Sequence, residues 1–172
     1  VGSLAETGAS LEECKIFGDH VNKMTASMGI ALTSCTVPAA GKPTFALGED
    51  EIEFGVGIHG EPGRKREKIK SANDIAKELM EAILEDLKPD NNQKVLLHIN
   101  GFGGTPLMEL YLLFNSSKKI LEDKKIDVSR SIVGNYTTSL DMAGGSITVT
   151  KLDQKIIDHW DSPVHTAALR WK

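Results

Sequence analysis

EIEFGVGIHGEPG, residues 51–63, decides how the chain is read. Ile52, Phe54, Val56 and Ile58 fall two apart, a spacing that puts four apolar side chains on one face of a strand and Glu51, Glu53, Gly55 and Gly57 on the other. His59 follows at the strand's end, where pairing has no need of an imidazole. Gly57 and Gly60 take away side chains that would crowd the ring and leave room for a small ligand. Glu61, Pro62 and Gly63 then break the strand. An imidazole ordinarily titrates near ~6.5, so its unprotonated nitrogen can act as nucleophile, base or metal ligand in neutral solution. Position alone favours a satisfied structural histidine over a reactive one.

Downstream, Arg64, Lys65, Arg66, Lys68 and Lys70 crowd positive charge into a short stretch. No aromatic residue interleaves them, so a solvated loop before a helix is the expectation, with steering of an acidic partner surface as the second reading. Ser71 or Asn73 caps a helix in which Ile75, Leu79, Ile83 and Leu87 recur every four residues, and Pro89 ends it. Residues 95–99, VLLHI, are continuously apolar around His98, as a strand covered on both faces requires. NGFGGT, residues 100–105, then leads into a helix, with Thr105 expected as cap and Pro106 at the first helical position. Such a turn can cradle phosphate on backbone amides, here at Gly103, Gly104 and Thr105. It lacks the lysine and spacing of a nucleotide-binding loop, and a tight turn for close helix packing is preferred.

The second crossover helix shows its apolar face at Leu107, Leu110, Tyr111, Leu113, Phe114 and Ile120. Residues 126–136 form another strand region, and residues 144–152 alternate as an antiparallel or edge strand. Asp141, between them, is read as a turn residue or a carboxylate base. A short helix over 153–160 precedes a tail carrying both tryptophans, Trp160 and Trp171, which is expected to dock. Upstream, Ser10 and Glu13 form a capping box for a helix of about five turns whose stripe runs through Leu11, Cys14, Gly18, Val21, Thr25 and Met28 to a stop at Gly29. Residues 30–36 are a short strand-prone run, and the loop of residues 37–43 is stiffened by two prolines. His20 is expected in solvent, and Lys42 is left unassigned.

Alternating strands and helices imply one α/β domain with a mixed β-sheet packed by helices. The chain has 172 residues, 40% hydrophobic and 26% charged, with a net charge of −4. These values suit an ordinary globular domain and offer no electrostatic case for nucleic acid; no apolar run approaches a membrane span. Cys14 and Cys35 have no metal-ligand spacing and fit free thiols in a reducing cytoplasm. His159 and His165, six apart on a proline-broken segment, are not a metal pattern either, so no metal is assigned.

Four stretches, in order, carry a resemblance: residues 37–63, VPAAGKPTFALGEDEIEFGVGIHGEPG; residues 100–111, NGFGGTPLMELY; residues 139–148, SLDMAGGSIT; and residues 161–172, DSPVHTAALRWK. Together they resemble the dihydroxyacetone kinase family, specifically its dihydroxyacetone-binding subunit. The resemblance implies that His59 adds through a ring nitrogen to the ketone carbon and holds the substrate as a covalent hemiaminal while a terminal hydroxyl is phosphorylated. The chemistry suits imidazole, because a lysine would first have to be deprotonated. Glycerol, which has no carbonyl, would be rejected however well it fitted.

The same resemblance implies a chain that is the C-terminal domain of the subunit, residues 1–172, with an N-terminal domain before Val1 supplying the remaining substrate contacts and the acid and base groups. It implies no cofactor on this chain, ADP or ATP with Mg on a nucleotide-binding partner subunit recharged from phosphoenolpyruvate, a homodimer, and no nucleic-acid or membrane partner. The end at Lys172 fits the bacterial multi-subunit type. Two readings stand beside this one. A non-catalytic paralogue would bind dihydroxyacetone through His59 and co-activate a transcription regulator, and a nucleotide-binding domain would use NGFGGT instead.

Overall fold

The computed structural model describes residues 1–59 and 63–171. The apolar run around His98 becomes β4, Lys94–Gly101. Val95, Leu97 and Ile99 are fully buried on one side of it and Leu96 is buried on the other, as a strand covered on both faces demands. β4 pairs in parallel with β5, Asp127–Gly134, and antiparallel with β6, Gly144–Lys151. Beyond β6 come β1, Thr25–Ala31, then β2, Glu51–Phe54, then β3, Lys65–Lys68, each antiparallel to its neighbour. The result is a six-stranded mixed sheet ordered β3-β2-β1-β6-β4-β5 in one α/β domain. β6 is thus antiparallel as expected, and interior rather than an edge.

One face of the sheet is covered by α3, Ala72–Leu87, and α4, Leu107–Asp123. Ile30, Ile52, Phe54, Leu79, Ile83, Leu97, Leu110 and Ile147 meet there in the main core. Full burial of each such side chain contributes about 1.5–3 kcal/mol. Ser71 caps α3, accepting from the Asp74 amide at 3.2 Å, and Lys88, at φ 44°, turns the chain out of the helix before Pro89. On the opposite face, α1, Gly2–Glu6, α2, Leu11–Lys23, and α5, Gln154–Trp160, cover one end through Phe17, Leu96, Leu152 and Ile156. The tail forms a two-stranded hairpin of β7, Val164–His165, and β8, Arg170–Trp171. It is docked as expected, with the Trp160 and Trp171 rings 5.2 Å apart.

Three local expectations are overturned. The capping box at Ser10 and Glu13 is present, but α2 ends at Lys23, and Thr25 and Met28 belong to β1. Seven residues of β1 pair in register with β6, and that ladder outweighs a helical spacing that Ser27 and Gly29 support poorly. Phe17, outside the expected stripe, is the residue of α2 that is buried. Secondly, the basic run is β3 rather than a loop. Its alternation sends Arg66 toward Glu51 and Glu53 across β2, while Lys65 and Lys70 reach Glu67 and Glu78, and Lys68 pairs with Asp50. Each of these cations has its carboxylate within the domain, which removes the main support for a steering role. Thirdly, Pro106 is the N-cap of α4 and Leu107 its first residue. The Thr105 hydroxyl is diverted to Gly144, donating to its carbonyl and accepting from its amide, both at 2.7 Å. Leu107 and Tyr111, expected on the apolar face, are half exposed.

Candidate functional site

The strand of residues 51–58 stops at Phe54, and this break positions His59. Gly55 adopts φ 81°, a left-handed conformation that glycine enters without a Cβ penalty. Its amide donates to the Gly29 carbonyl at 2.7 Å, and the chain then crosses to the opposite face of the sheet. Ile52 and Phe54 therefore belong to the main core, whereas Val56 and Ile58 pack with Ala31, Cys35, Phe45, Phe102 and Met142 in a second cluster. The alternation identified the apolar residues correctly but not a shared face. Gly29, read as a helix stop, is what permits the crossing. A Cβ there would stand 2.4 Å from the Val56 carbonyl oxygen.

The loop is closed at its base. Arg64 N donates to the Phe54 carbonyl at 2.6 Å, and Gly63 N donates to the Glu53 carboxylate at 2.8 Å. Glu53 also accepts from Arg66 Nη2 at 2.8 Å. Burial pushes the Glu53 carboxyl up, but the Arg66 guanidinium and the Gly63 amide outweigh it and hold the group below the usual carboxylate range. His59 extends from this loop with its side chain exposed. It borders a cavity of about 240 Å³ lined also by Cys35, Val37, Thr44, Ile58, Thr138, Ser139 and Leu140. Gly57 is half-buried in the crossing segment and is not among the lining residues. Gly60, Glu61 and Pro62 lie outside the described residues.

Two further loops build the walls. Residues 32–50 lead from β1 to β2, and residues 135–143 lead from β5 to β6; Asp141 Oδ1 joins them by accepting from Thr36 N at 3.1 Å. That hydrogen bond lowers the Asp141 carboxyl below its ordinary value. Asp141, one of the candidate bases, is thus engaged as a tie between loops. Asn100, buried in β4, holds the second loop: its Oδ1 accepts from the amides of Tyr136 and Thr137, and its Nδ2 donates to the Thr137 carbonyl at 2.8 Å.

The NGFGGT turn serves the same loop. Gly103 N donates to Asn135 Oδ1 at 3.3 Å and Gly104 N to the Met142 carbonyl at 3.0 Å. A Cβ at Gly103 would sit 2.0 Å from the Leu140 carbonyl oxygen, and one at Gly104 would sit 2.6 Å from that of Asp141. These glycines allow close packing, and both amides are occupied within the chain. The expected tight turn is what forms, and the Gly103 and Gly104 amides are not open to a phosphate.

The other histidines lie away from this cavity. His20 Nε2 meets Asp153 Oδ2 at 2.6 Å instead of facing solvent alone, and His159 Nδ1 meets Ser3 Oγ at 3.1 Å. His165 contacts Arg170 in the tail hairpin. His98 packs edge-on against Tyr136, its Nε2 has no hydrogen-bond partner among the described residues, and burial lowers its pKa. Sequence reasoning found His59 but none of the polar wall. Thr44, Thr138 and Ser139 sit in ordinary loop sequence, and only their meeting in space distinguishes them.

Comparison with known proteins supplies independent information. The Dak1 domain profile matches residues 1–168. The chain is 47% identical over 169 residues to the dihydroxyacetone-binding subunit of a PTS-dependent dihydroxyacetone kinase of Listeria innocua, covering 98% of this chain and 51% of that protein. It is 34% identical over 166 residues to a D-erythrulose kinase of Mycolicibacterium smegmatis, covering 96% of this chain and 29% of the relative. Among solved structures, a dihydroxyacetone kinase operon co-activator superposes with a TM-score of 0.87 at 34% identity, over 94% of this chain and 50% of the other. The chain spans about half the length of the first of these relatives.

Proposed function

The chain belongs to the Dak1 domain family, and on that premise we propose that it is one domain of a dihydroxyacetone-binding kinase subunit, in which His59 captures the ketone. The observation that carries this reading is the exposed imidazole bordering a small cavity with three hydroxyl-bearing side chains, Thr44, Thr138 and Ser139. A ring nitrogen lone pair attacks the ketone carbon and the carbonyl π electrons move to oxygen. The other ring nitrogen releases its proton and the new alkoxide gains one. The product is a neutral hemiaminal with no loss of water. A terminal hydroxyl of the held substrate then receives the phosphoryl group from a nucleotide on a partner subunit.

Three points support assigning the nucleotide elsewhere and the kinase role to this chain. The amides of Gly103 and Gly104 are already paired. Identity to a curated kinase subunit reaches 47%, although among solved structures the co-activator, at 34%, stands above a dihydroxyacetone kinase of C. freundii, at 26%. The proposed adduct also leaves both hydroxymethyl groups of dihydroxyacetone chemically free. The co-activator reading keeps a place because its fold likeness is high and it would capture the ketone in the same way.

The test is intact mass of the full protein carrying this chain, incubated with excess dihydroxyacetone under gentle conditions, followed by reduction and peptide mapping. A gain equal to one whole ketone, mapped to His59 and absent from His59→Ala, is the expected result. A folded protein with no adduct, or an unchanged adduct in His59→Ala, removes the histidine from the mechanism. Production of dihydroxyacetone phosphate with an added nucleotide-carrying subunit then separates kinase from co-activator.

A further inference from the structure

Two exposed apolar side chains, Val37 and Leu140, line the His59 cavity, and Leu140 is the more exposed at 59%. Leu140 also has φ 49°, a left-handed conformation that a branched residue seldom adopts. Asn or Gly would occupy this turn with less strain. The turn is held from several sides. Ser139 N donates to the Phe102 carbonyl at 2.9 Å, and Met142 N donates to the Ser139 carbonyl at 3.1 Å. Gly103 gives way beneath the Leu140 carbonyl, as described above. The backbone therefore keeps a strained residue in place whose side chain joins none of the buried clusters among the described residues. Neither core packing nor turn chemistry accounts for leucine here, and such an outlier beside a reactive group points to function.

We propose that Leu140 is a specificity-determining residue: it forms an apolar wall that limits the carbon chain of the ketone held on His59, favouring three carbons over four. The inference rests on capture of a carbonyl compound by His59. Attachment through the carbonyl cannot itself read chain length, because dihydroxyacetone and erythrulose present the same hydroxyketone group. Discrimination must come from the walls. Thr44, Thr138 and Ser139 offer hydroxyls to a substrate, whereas Leu140 offers none. An additional CHOH unit pressed against it would lose water from its hydroxyl without gaining a partner, a larger penalty than a misfit of volume alone. That a D-erythrulose kinase is similar to this chain over 96% of its length fits a scaffold on which wall residues, rather than the histidine, set the ketose.

The experiment offers an equimolar mixture of dihydroxyacetone and L-erythrulose to the full protein and reads the two adduct masses in wild type, Leu140→Ala and Leu140→Gly. Glycine suits the left-handed backbone, so it opens the wall without adding strain; melting curves verify the fold of each variant. The ratio of erythrulose to dihydroxyacetone adduct is expected to rise about tenfold in both variants. An unchanged ratio, or an equal change for both ketoses, overturns the assignment of Leu140 while leaving His59 standing. Absence of both adducts in the wild type overturns the capture reading itself and this inference with it.

Discussion

The Val56 carbonyl oxygen crosses Gly29 so closely that a Cβ at position 29 would lie 2.4 Å away. This contact joins a strand of the sheet to the segment that carries His59, and it explains how an edge-proximal β2 delivers an imidazole to the opposite face.

Gly29→Ala should therefore disturb both stability and capture. The obstructing atom is backbone, so either the crossing segment or β1 must shift, at a cost of about 1–3 kcal/mol. Denaturant unfolding should show the loss, and adduct mass should show reduced occupancy. A variant indistinguishable from wild type in both would mean that the crossing segment yields freely.

Glu53 anchors the base of the same loop, and its removal leaves the Gly63 amide without its acceptor and the Arg66 guanidinium with the longer ion pair to Glu51. Glu53→Ala is expected to cost about 1–3 kcal/mol, and Glu53→Gln less, since glutamine keeps an acceptor oxygen. The folded-state carboxyl is held below its ordinary value, so its contribution is present above the usual carboxylate range and is lost as pH falls through the folded pKa. Melting temperatures of wild type and Glu53→Gln should converge under acid conditions. Parallel curves at all pH values would show that the charge plays no part.

Asp141 should act on the cavity rather than on the core, because its hydrogen bond joins the loops that carry Val37 and Leu140. Asp141→Ala is expected to weaken ketone capture several-fold with little change in melting temperature, and Asp141→Asn to restore most of it by retaining an acceptor for Thr36 N. Equal weakening in both variants would point instead to the charge, and no effect in either would dismiss the tie.

His98 provides a test closer to neutrality. Burial lowers its pKa, so the unfolded chain takes up the proton first as pH falls. Stability is then greatest above the ordinary histidine value of about 6.5 and declines below it. Replacing His98 with Gln should flatten the fall in melting temperature between about pH 7 and 5. An undiminished fall would place its origin in other groups.

Much of the architecture follows from periodicity. The four-residue repeat through Ile75, Leu79, Ile83 and Leu87, the continuous apolar run at β4 and the alternation of β6 each match the observed element. The misreadings share a cause. Thr25 and Met28 fit a helical spacing, and Arg64 to Lys70 fit a solvated loop, until cross-strand partners are available. The ladder to β6 and the carboxylates of Glu51, Glu53 and Glu78 are remote in sequence and supply the deciding interactions.

The sequence by itself determined the α/β class, the main helices and strands, the family through words such as GIHGEPG, and His59 as the residue to watch, because these are properties of local pattern. Tertiary structure decided where His59 points and what surrounds it. The left-handed turn at Gly55, the passage over Gly29 and the tie from Asp141 to Thr36 bring together Cys35, Thr44, Thr138 and Leu140, residues as far apart as positions 35 and 140. Close backbone approach and loop-to-loop hydrogen bonds depend on distances in space, and no spacing along the chain encodes them.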